Sequence, residues 1–499
     1  MITELEFQSL AAEGYNRIPL ISEAFADLET PLSLYLKLCA GGGQGRNSFL
    51  LESVVGGERF GRYSFIGLPA RTLVRATGTL CEVVTDGRVV ETHEGNPLDF
   101  IAAYQERIKP RIPAGLPRFC GGLAGYFGYE AVRAIEKRLA DTRKQGGLGT
   151  PDILLLLTEE VAVIDNLSGR LYLIVWADPR QPEAYFRATK RLSALRDKLS
   201  YSVSVPRVPR SESHAVQREF SKAGLMAAVE RAKEYIAAGD LMQVVIGQRL
   251  AKPYKAEPIA LYRALRALNP SPYMYFYDFG DFQVVGASPE ILVREEHAVD
   301  AQGKDSRKVT IRPLAGTRPR GSTPERDQQL EVELKADPKE RAEHLMLIDL
   351  ARNDIGRIAR TGSVQVTQAF DVERYSHVMH IVSNVEGVLR PEVGQLDVLK
   401  ATFPAGTLSG APKVRAMELI DELEPVERGI YGGACGYLSF AGDMDLAIAI
   451  RTGIVKNGML YVQAAAGIVA DSVPELEWQE TEAKARALLR AAELVEEGF

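Results

Sequence analysis

Two helices far apart in the chain carry the same acidic signature, and a fold that uses both must bring their first turns together. The first is written in Asp337-Pro-Lys-Glu-Arg-Ala-Glu-His-Leu-Met-Leu-Ile-Asp-Leu-Ala-Arg-Asn-Asp354. Asp337 reads as an N-cap and Pro338 as the first helical residue. Glu340 and Glu343 are three apart and share one face, and Leu347 and Leu350 continue that line as an apolar seam. The second lies in Glu477-Trp-Gln-Glu480-Thr-Glu-Ala-Lys484, where Glu477 and Glu480 repeat the spacing and Lys484 follows one turn on. Exposed Glu-x-x-Glu pairs are common and usually solvated. Carboxylates aimed where a helix turns apolar suit a hard cation. Mg²⁺ takes one or two protein carboxylates and leaves its other positions to water and an anionic substrate.

The bulk properties narrow the classes. With 499 residues, 46% hydrophobic and 25% charged, the composition is that of a globular chain of two or three domains, or one large and one smaller. A formal net charge of -6, with no basic tail or stripe, argues against nucleic acid. Cys39, Cys81, Cys120 and Cys435 are scattered and form no Cys-x-x-Cys pair, so neither a zinc site nor a disulfide framework is indicated. A reducing cytoplasm fits. The acidic N-terminus lacks a secretory pattern, and apolar runs such as Ile153 to Leu157 are too short to span a bilayer.

Along the chain, Leu154–Ile164 and Leu171–Trp176 read as strands joined by a turn at Asp165–Gly169, and Gln181–Leu199 as a helix. Tyr201–Ser213 has no helical period and holds two prolines, which marks a linker. Ser221 reads as the N-cap of a helix ended by Gly239-Asp240. Gln243–Leu250 reads as a strand with Gln243, Val245, Gly247 and Arg249 on one face. Further strands are expected around Tyr273–Tyr277, Phe282–Gly286 and Ile291–Arg294. The division is thus 1–200, a linker at 201–217, and 218–499, in an α+β fold with large antiparallel sheets.

Several short segments, most of them glycine-containing turns, each carry one or two functional side chains: Gly286-Ala-Ser-Pro-Glu290, Pro313-Leu-Ala-Gly-Thr-Arg-Pro-Arg-Gly321, Tyr375-Ser-His-Val-Met-His380, Pro404-Ala-Gly-Thr-Leu-Ser-Gly-Ala-Pro-Lys413, Tyr431-Gly-Gly-Ala-Cys-Gly-Tyr437 and Ala464-Ala-Ala-Gly-Ile-Val-Ala-Asp-Ser-Val-Pro474. Each alone is a plausible structural turn. In this order, together with the two acidic helices, they resemble the chorismate-utilising enzymes. The likeness is strong from Phe220 to Leu489 and looser before, through Ser48-Phe-Leu-Leu-Glu-Ser53 and Arg62-Tyr-Ser-Phe-Ile-Gly67.

The resemblance implies a two-sheet antiparallel β-sandwich surrounded by helices, with the site in a cleft between the sheets and an N-terminal regulatory portion. It implies Glu343 and Glu480 as Mg²⁺ ligands, with Glu340 and Glu477 beside them. Gly316, Thr317, Thr407, Tyr431, Arg451 and the amides of Ala465, Ala466 and Gly467 become chorismate contacts. Lys484 sits near metal and substrate, Glu290 is the acid that helps the ring hydroxyl depart, and His380 assists pyruvate elimination. Each residue type suits its task. The fork of Arg451 matches a carboxylate, backbone N–H groups bind anions, and loss of hydroxide from an allylic carbon needs a positioned acid, which burial would keep protonated.

Two positions select a branch. Water-adding members of the family carry a lysine base where this chain has Gln243, which cannot take a proton from water. The aminodeoxychorismate branch has a nucleophilic lysine where this chain has Ala315. The resemblance is therefore closest to the anthranilate-forming branch, in which ammonia adds at C2 and pyruvate leaves. No Gly-x-Cys-x-Gly nucleophile turn is present, so a separate glutamine amidotransferase subunit, component II of a hetero-oligomer, is expected to supply ammonia. Glu52 and Ser53, with Asn269, Pro270, Pro272, Tyr273 and Met274, resemble the family's L-tryptophan feedback site. One departure stands out: the family's usual Ala-Gly-Ala-Gly is here Ala464-Ala465-Ala466-Gly467, and if Ala465 needed positive φ it would be strained by roughly a kcal/mol. Two alternatives follow. The enzyme could stop at aminodeoxyisochorismate without losing pyruvate, or the chain could be a catalytically weak tryptophan-sensing subunit.

Overall fold

The strands assort into two sheets of twelve strands each, every pairing of named strands being antiparallel. The computed structural model describes the chain apart from Met1, residues 40–45, 55–60, 204, 206–207, 209, 211, 213, 300–302, 304, 376–377 and Phe499. Parts of the expected linker 201–217, and Ser376 and His377 of the Tyr375–His380 motif, lie outside the described residues.

From edge to edge the first sheet runs through Ile18–Phe25, Arg170–Ala177, Glu160–Asp165, Tyr63–Gly67, Ser48–Glu52, Tyr273–Asp278, Phe282–Ser288, Thr452–Lys456, Met459–Ile468, Gln243–Pro253 and Gln217–Arg218. Gly410–Ala411 is added beside the Gln243 strand. The second sheet runs through Leu314–Pro319, Val378–Val388, Asp305–Ile311, Ile291–Val299, Met444–Ile448, Ala434–Ser439, Gly122–Phe127, Ile153–Thr158, Thr72–Thr77, Leu80–Thr85 and Arg88–Glu94, with Gln365–Arg374 paired to Val378–Val388. Each sheet takes strands from both sides of 201–217.

An aromatic layer joins the sheets. The Phe119 and Tyr437 rings are 4.5 Å apart, Phe65 meets Tyr437 edge-on at 5.5 Å, and the Tyr277 hydroxyl donates across the layer to the Gly436 carbonyl at 3.1 Å. Offset and edge-on pairs of this kind are the favoured aromatic geometries. Helices Pro31–Leu38, Ala184–Leu199, Pro258–Leu268 and Pro474–Glu497 cover the outer face of the first sheet, and helices Pro97–Glu106 and Pro338–Gly356 pack against the second.

Local chemistry sets the helix starts. The Asp337 carboxylate accepts from the Lys339 and Glu340 N–H groups, with Pro338 at the first position, and Ser221 accepts from Gly224 N–H at the start of Lys222–Ala237. One expectation is corrected. The run 154–164 is two strands in different sheets, Ile153–Thr158 and Glu160–Asp165. Both are buried on both faces, so their hydrophobicity is continuous, and only the polar Thr158-Glu159-Glu160 marks the crossing.

Candidate active site

The same kind of crossing builds the site. Glu290 lies between Phe282–Ser288 of the first sheet and Ile291–Val299 of the second, and Arg451 between Met444–Ile448 of the second and Thr452–Lys456 of the first. The two crossings are neighbours: Ile448 N–H donates to the Glu290 carbonyl at 3.0 Å, and Ala287 N–H to the Arg451 carbonyl at 3.1 Å. Arg451 has φ 49°, in the left-handed region, a conformation that costs a non-glycine residue on the order of 1 kcal/mol or more and clusters at functional sites. Its guanidinium makes no hydrogen bond or ion pair among the described residues, and burial pushes its pKa below the ordinary value.

Glu290 is 6% exposed. Burial raises its carboxyl to about 8, against the opposing pull of the Thr407 hydroxyl, the Arg451 and Lys484 charges and the Leu314 backbone N–H. It is therefore protonated at neutral pH. Thr407, in the short turn Gly406–Leu408, donates to Glu290 Oε1 at 3.1 Å.

His380 is also buried, and burial lowers it to about 4, so it is neutral. Its Nδ1 is 2.9 Å from the Gly316 carbonyl and 3.2 Å from the Thr317 hydroxyl. A carbonyl only accepts, so Nδ1 carries the proton. Nε2 then presents a lone pair, and among the described residues it has no hydrogen-bond partner. Gly316 sits at φ +68° in a bulge of Leu314–Pro319, a conformation glycine takes without strain. The two arginines of this segment turn to helix acids: Arg318 to Asp337 at 2.7 Å and Glu340 at 3.1 Å, Arg320 to Asp327 at 2.8 Å.

On the opposite wall, Gln243 Nε2 donates to Glu343 Oε1 at 3.3 Å. A methyl at Gly467 would approach Gln243 Nε2 to 2.6 Å, so glycine is what lets the amide lie there. Ala465, Ala466 and Gly467 lie inside the strand Met459–Ile468, opposite Gly247, Ile246 and Val245. Ala465 is not among the positive-φ residues described, so the condition for strain is not met; its methyl packs 3.0 Å from where Gly247 would carry one. The Ala465 carbonyl accepts from Lys484 Nζ at 2.9 Å, and its N–H lies by the Tyr431 hydroxyl. Both groups point off the ladder. By alternation the Gly467 amide does so as well, and the Ala466 amide is turned into the ladder toward Ile246.

The acidic helices come within charge range of each other. Glu343 is raised chiefly by burial, with the charges of Glu340 and Glu480 adding to it. Glu477 is raised by burial and by Glu480. Glu480 pairs with Lys484 at 2.7 Å. Among the described residues no three His, Cys, Asp or Glu side chains gather closely enough to hold a metal ion by themselves. Carboxylates within charge range of one another, all oxygen donors and with no closed cage, fit a hard cation that takes one or two of them and fills its shell elsewhere.

A cavity of about 70 Å³ opens away from these residues, between the sheets, and is lined by Glu52, Ser53, Pro272, Tyr273 and Met274 among others. Asn269 and Pro270 lie just outside its lining, at the end of helix Pro258–Leu268. The Glu52 carboxylate is engaged by the Tyr262 hydroxyl at 2.5 Å and by Arg266 at 2.7 Å. Sequence reasoning missed the charged wall of this cavity, Arg118, Arg294 and Asp445, because these residues come from two strands of the second sheet and the approach to a third and share no local motif. It also missed His344, buried beside Glu343 with Nε2 2.7 Å from the Ser383 hydroxyl.

The profile of the chorismate binding enzyme family matches residues 58–490. Anthranilate synthase component 1 of Neisseria meningitidis serogroup A is 57% identical over 503 residues, covering 100% of both chains. The protein of the same name from Pseudomonas putida is 53% identical, over 99% of this chain and 98% of that one. The crystal structure of anthranilate synthase component I from Streptococcus pneumoniae superposes with a TM-score of 0.76 at 37% identity, covering 94% of this chain and 99% of that one. The chain belongs to the family of chorismate-binding enzymes.

Proposed function

We propose that this chain catalyses the component 1 reaction of anthranilate synthase, a lyase reaction in which chorismate and ammonia give anthranilate, pyruvate and water. Gln243 carries this reading. It stands where water-adding relatives are expected to hold a lysine base, and its amide cannot deprotonate water. The nucleophile must arrive already competent, as free ammonia does. Ala315, buried in its strand, removes the covalent alternative.

The chain's residues divide the work. Arg451 binds the enolpyruvyl carboxylate through its fork, while the Ala465 and Gly467 amides, Tyr431, Thr317 and Lys484 orient the rest of the substrate. As ammonia bonds to C2 and the ring double bonds shift, the C4–O bond breaks and the departing hydroxyl takes the proton of Glu290 to leave as water. His380 Nε2 then accepts the C2 proton as the C3–O bond breaks; the side chain leaves as the enolate of pyruvate and takes that proton back from His380 at its methylene carbon, giving pyruvate and neutral imidazole. Glu343 and Glu480, with Glu340 and Glu477 beside them, would hold Mg²⁺, which when bound would supply the charge that neutralises a substrate carboxylate and orients the ring. A neutral, unpartnered His380 Nε2 disfavours an enzyme that stops at aminodeoxyisochorismate. An unstrained Ala465 removes the motive for a weak sensor.

His380→Asn is expected to slow pyruvate release more than amination, so that the aminated intermediate accumulates; equal loss in both steps, read by product chromatography, would count against the role. The parent reading is tested with chorismate, Mg²⁺ and ammonium at alkaline pH. Fluorescent anthranilate is expected, and its absence from folded protein would sink the proposal.

Residues 1–200 share the regulatory face with 218–499, which also carry the catalytic one, and 201–217 join them. The cavity beside Glu52 and Ser53 has apolar walls with cationic and carboxylate groups, which suits a zwitterionic aromatic amino acid, L-tryptophan as feedback inhibitor. Saturating tryptophan should raise the melting temperature, by about 2.7 kcal/mol of stability at a hundredfold excess over Kd. Ser53→Phe, which fills the cavity, should abolish that rise; a full shift in this variant would place the inhibitor elsewhere. Ammonia is supplied by a glutamine amidotransferase partner in a cytoplasmic hetero-oligomer. No helix among the described residues is long and apolar enough to cross a membrane.

A further inference from the structure

The edge of the Gln243–Pro253 strand that faces away from Met459–Ile468 is covered at both ends and open in the middle. Gly410–Ala411 pairs only with Gln243 and Val244, and Gln217–Arg218 only with Leu250 and Ala251. Between them Val245 N–H donates to the Ser409 carbonyl at 2.9 Å, and the Val245 carbonyl and Gly247 N–H have no main-chain partner on that side. An ion pair fills the gap. Arg428 Nη2 donates to the Val245 carbonyl at 2.8 Å, and Gly247 N–H donates to Glu424 Oε1 at 2.8 Å. The two side chains are locked together by Arg428 Nε to Glu424 Oε2 at 3.0 Å and Nη2 to Oε1 at 2.6 Å. They are 1% and 3% exposed.

The same guanidinium reaches two more walls of the site. Its Nη1 donates to the Leu408 carbonyl at 2.6 Å, fixing the turn that carries Thr407. Its carbon lies 5.8 Å from the Tyr431 ring centre and 4.8 Å from that of Tyr129. We propose that Arg428, clamped by Glu424, is a positioning residue for the reaction: it holds the Gln243 strand, the Thr407 turn and Tyr431 in one frame while touching no substrate itself. Replacing a buried pair by apolar groups is often neutral for stability, whereas breaking one is costly, so a substitution that keeps the volume separates the positioning role from a merely structural one.

The inference rests on the reaction proposed above. The effect passes through Glu290, which is faced by the Thr407 hydroxyl, the Arg451 and Lys484 charges and the Leu314 N–H. Thr407 is the strongest of the groups that hold its pKa down. A turn that drifts loses this bond, and the acid then titrates at higher pH.

The test compares Arg428→Met/Glu424→Met with wild type in the ammonia-dependent assay, with melting curves alongside. Wild type must first form anthranilate; if it does not, the reaction itself is misassigned. With wild type active, the double variant is expected to melt cooperatively, to lose about 10²-fold in kcat, as misplacement by an ångström can, and to show the alkaline limb of its pH–rate profile moved upward. A folded double variant with wild-type kcat and an unmoved limb overturns the proposal. Should it fail to fold, Arg428→Lys keeps the buried charge and loses the fork. The same fall in kcat and upward shift of the limb are then expected, and wild-type kcat with an unmoved limb again overturns the proposal.

Discussion

Glu290→Gln is expected to lower kcat for anthranilate formation by about 10²- to 10⁴-fold, the usual worth of a positioned acid, without unfolding the protein. The carboxyl sits at about 8 because it is buried at a sheet crossing. In the wild type kcat, corrected for the free-ammonia concentration, should therefore fall as pH rises through about 8, as the proton needed by the departing hydroxyl is lost. The stability sign runs with it. A carboxyl raised from 4.5 to about 8 on folding costs nothing below the unfolded value, where both states hold the proton. The cost grows as pH rises from there through the folded value, since only the unfolded chain ionises freely. Glutamine cannot ionise, so the variant should melt above wild type at pH 9 and with it at pH 4. A variant that keeps wild-type kcat, or melts below wild type at pH 9, removes Glu290 from its role.

Glu343→Gln is expected to abolish the Mg²⁺-dependent rate, by about 10³-fold or more, since electrostatic stabilisation by a bound metal is worth several kcal/mol and each 1.36 kcal/mol is tenfold. The fold should survive. Burial and the neighbouring Glu340 and Glu480 charges already disfavour an ionised Glu343, so an amide there relieves repulsion, and its oxygen still accepts from Gln243. Rates measured across a Mg²⁺ titration, with melting temperatures beside them, decide the matter: undiminished turnover at ordinary Mg²⁺ rules Glu343 out as a ligand.

Much of the fold and site is legible in the residues alone. Asp337 with Pro338, and Ser221, announce their helices because capping is local chemistry. The Tyr273, Phe282 and Ile291 strands are visible for the same reason: β-branched and aromatic residues between turn signals. The acidic pairs are found by spacing. What the residues withhold lies in relations between distant segments. Nothing in Thr158-Glu159-Glu160 or Ser288-Pro289-Glu290 says that the chain leaves one sheet for the other there, yet those crossings place Glu290 beside Arg451. Glu424 and Arg428 stand four apart, but Pro425 ends the helix between them, so they do not read as a helical pair. Their value depends on an open strand edge contributed from residue 245. Ala465 looks strained by comparison with a glycine pattern; the strand it joins gives it an ordinary backbone.

In both layers a block of strands from residues 1–200 is paired to a block from the rest of the chain, Ser48–Glu52 to Tyr273–Asp278 in one and Gly122–Phe127 to Ala434–Ser439 in the other, and this bears on how the protein can be cut. Neither 1–200 nor 218–499 expressed alone has a complete layer to close, and each would present long unpaired edges prone to aggregation. Nicked by a protease at that segment, the two pieces should stay locked together and copurify as one active particle, parting only in denaturant.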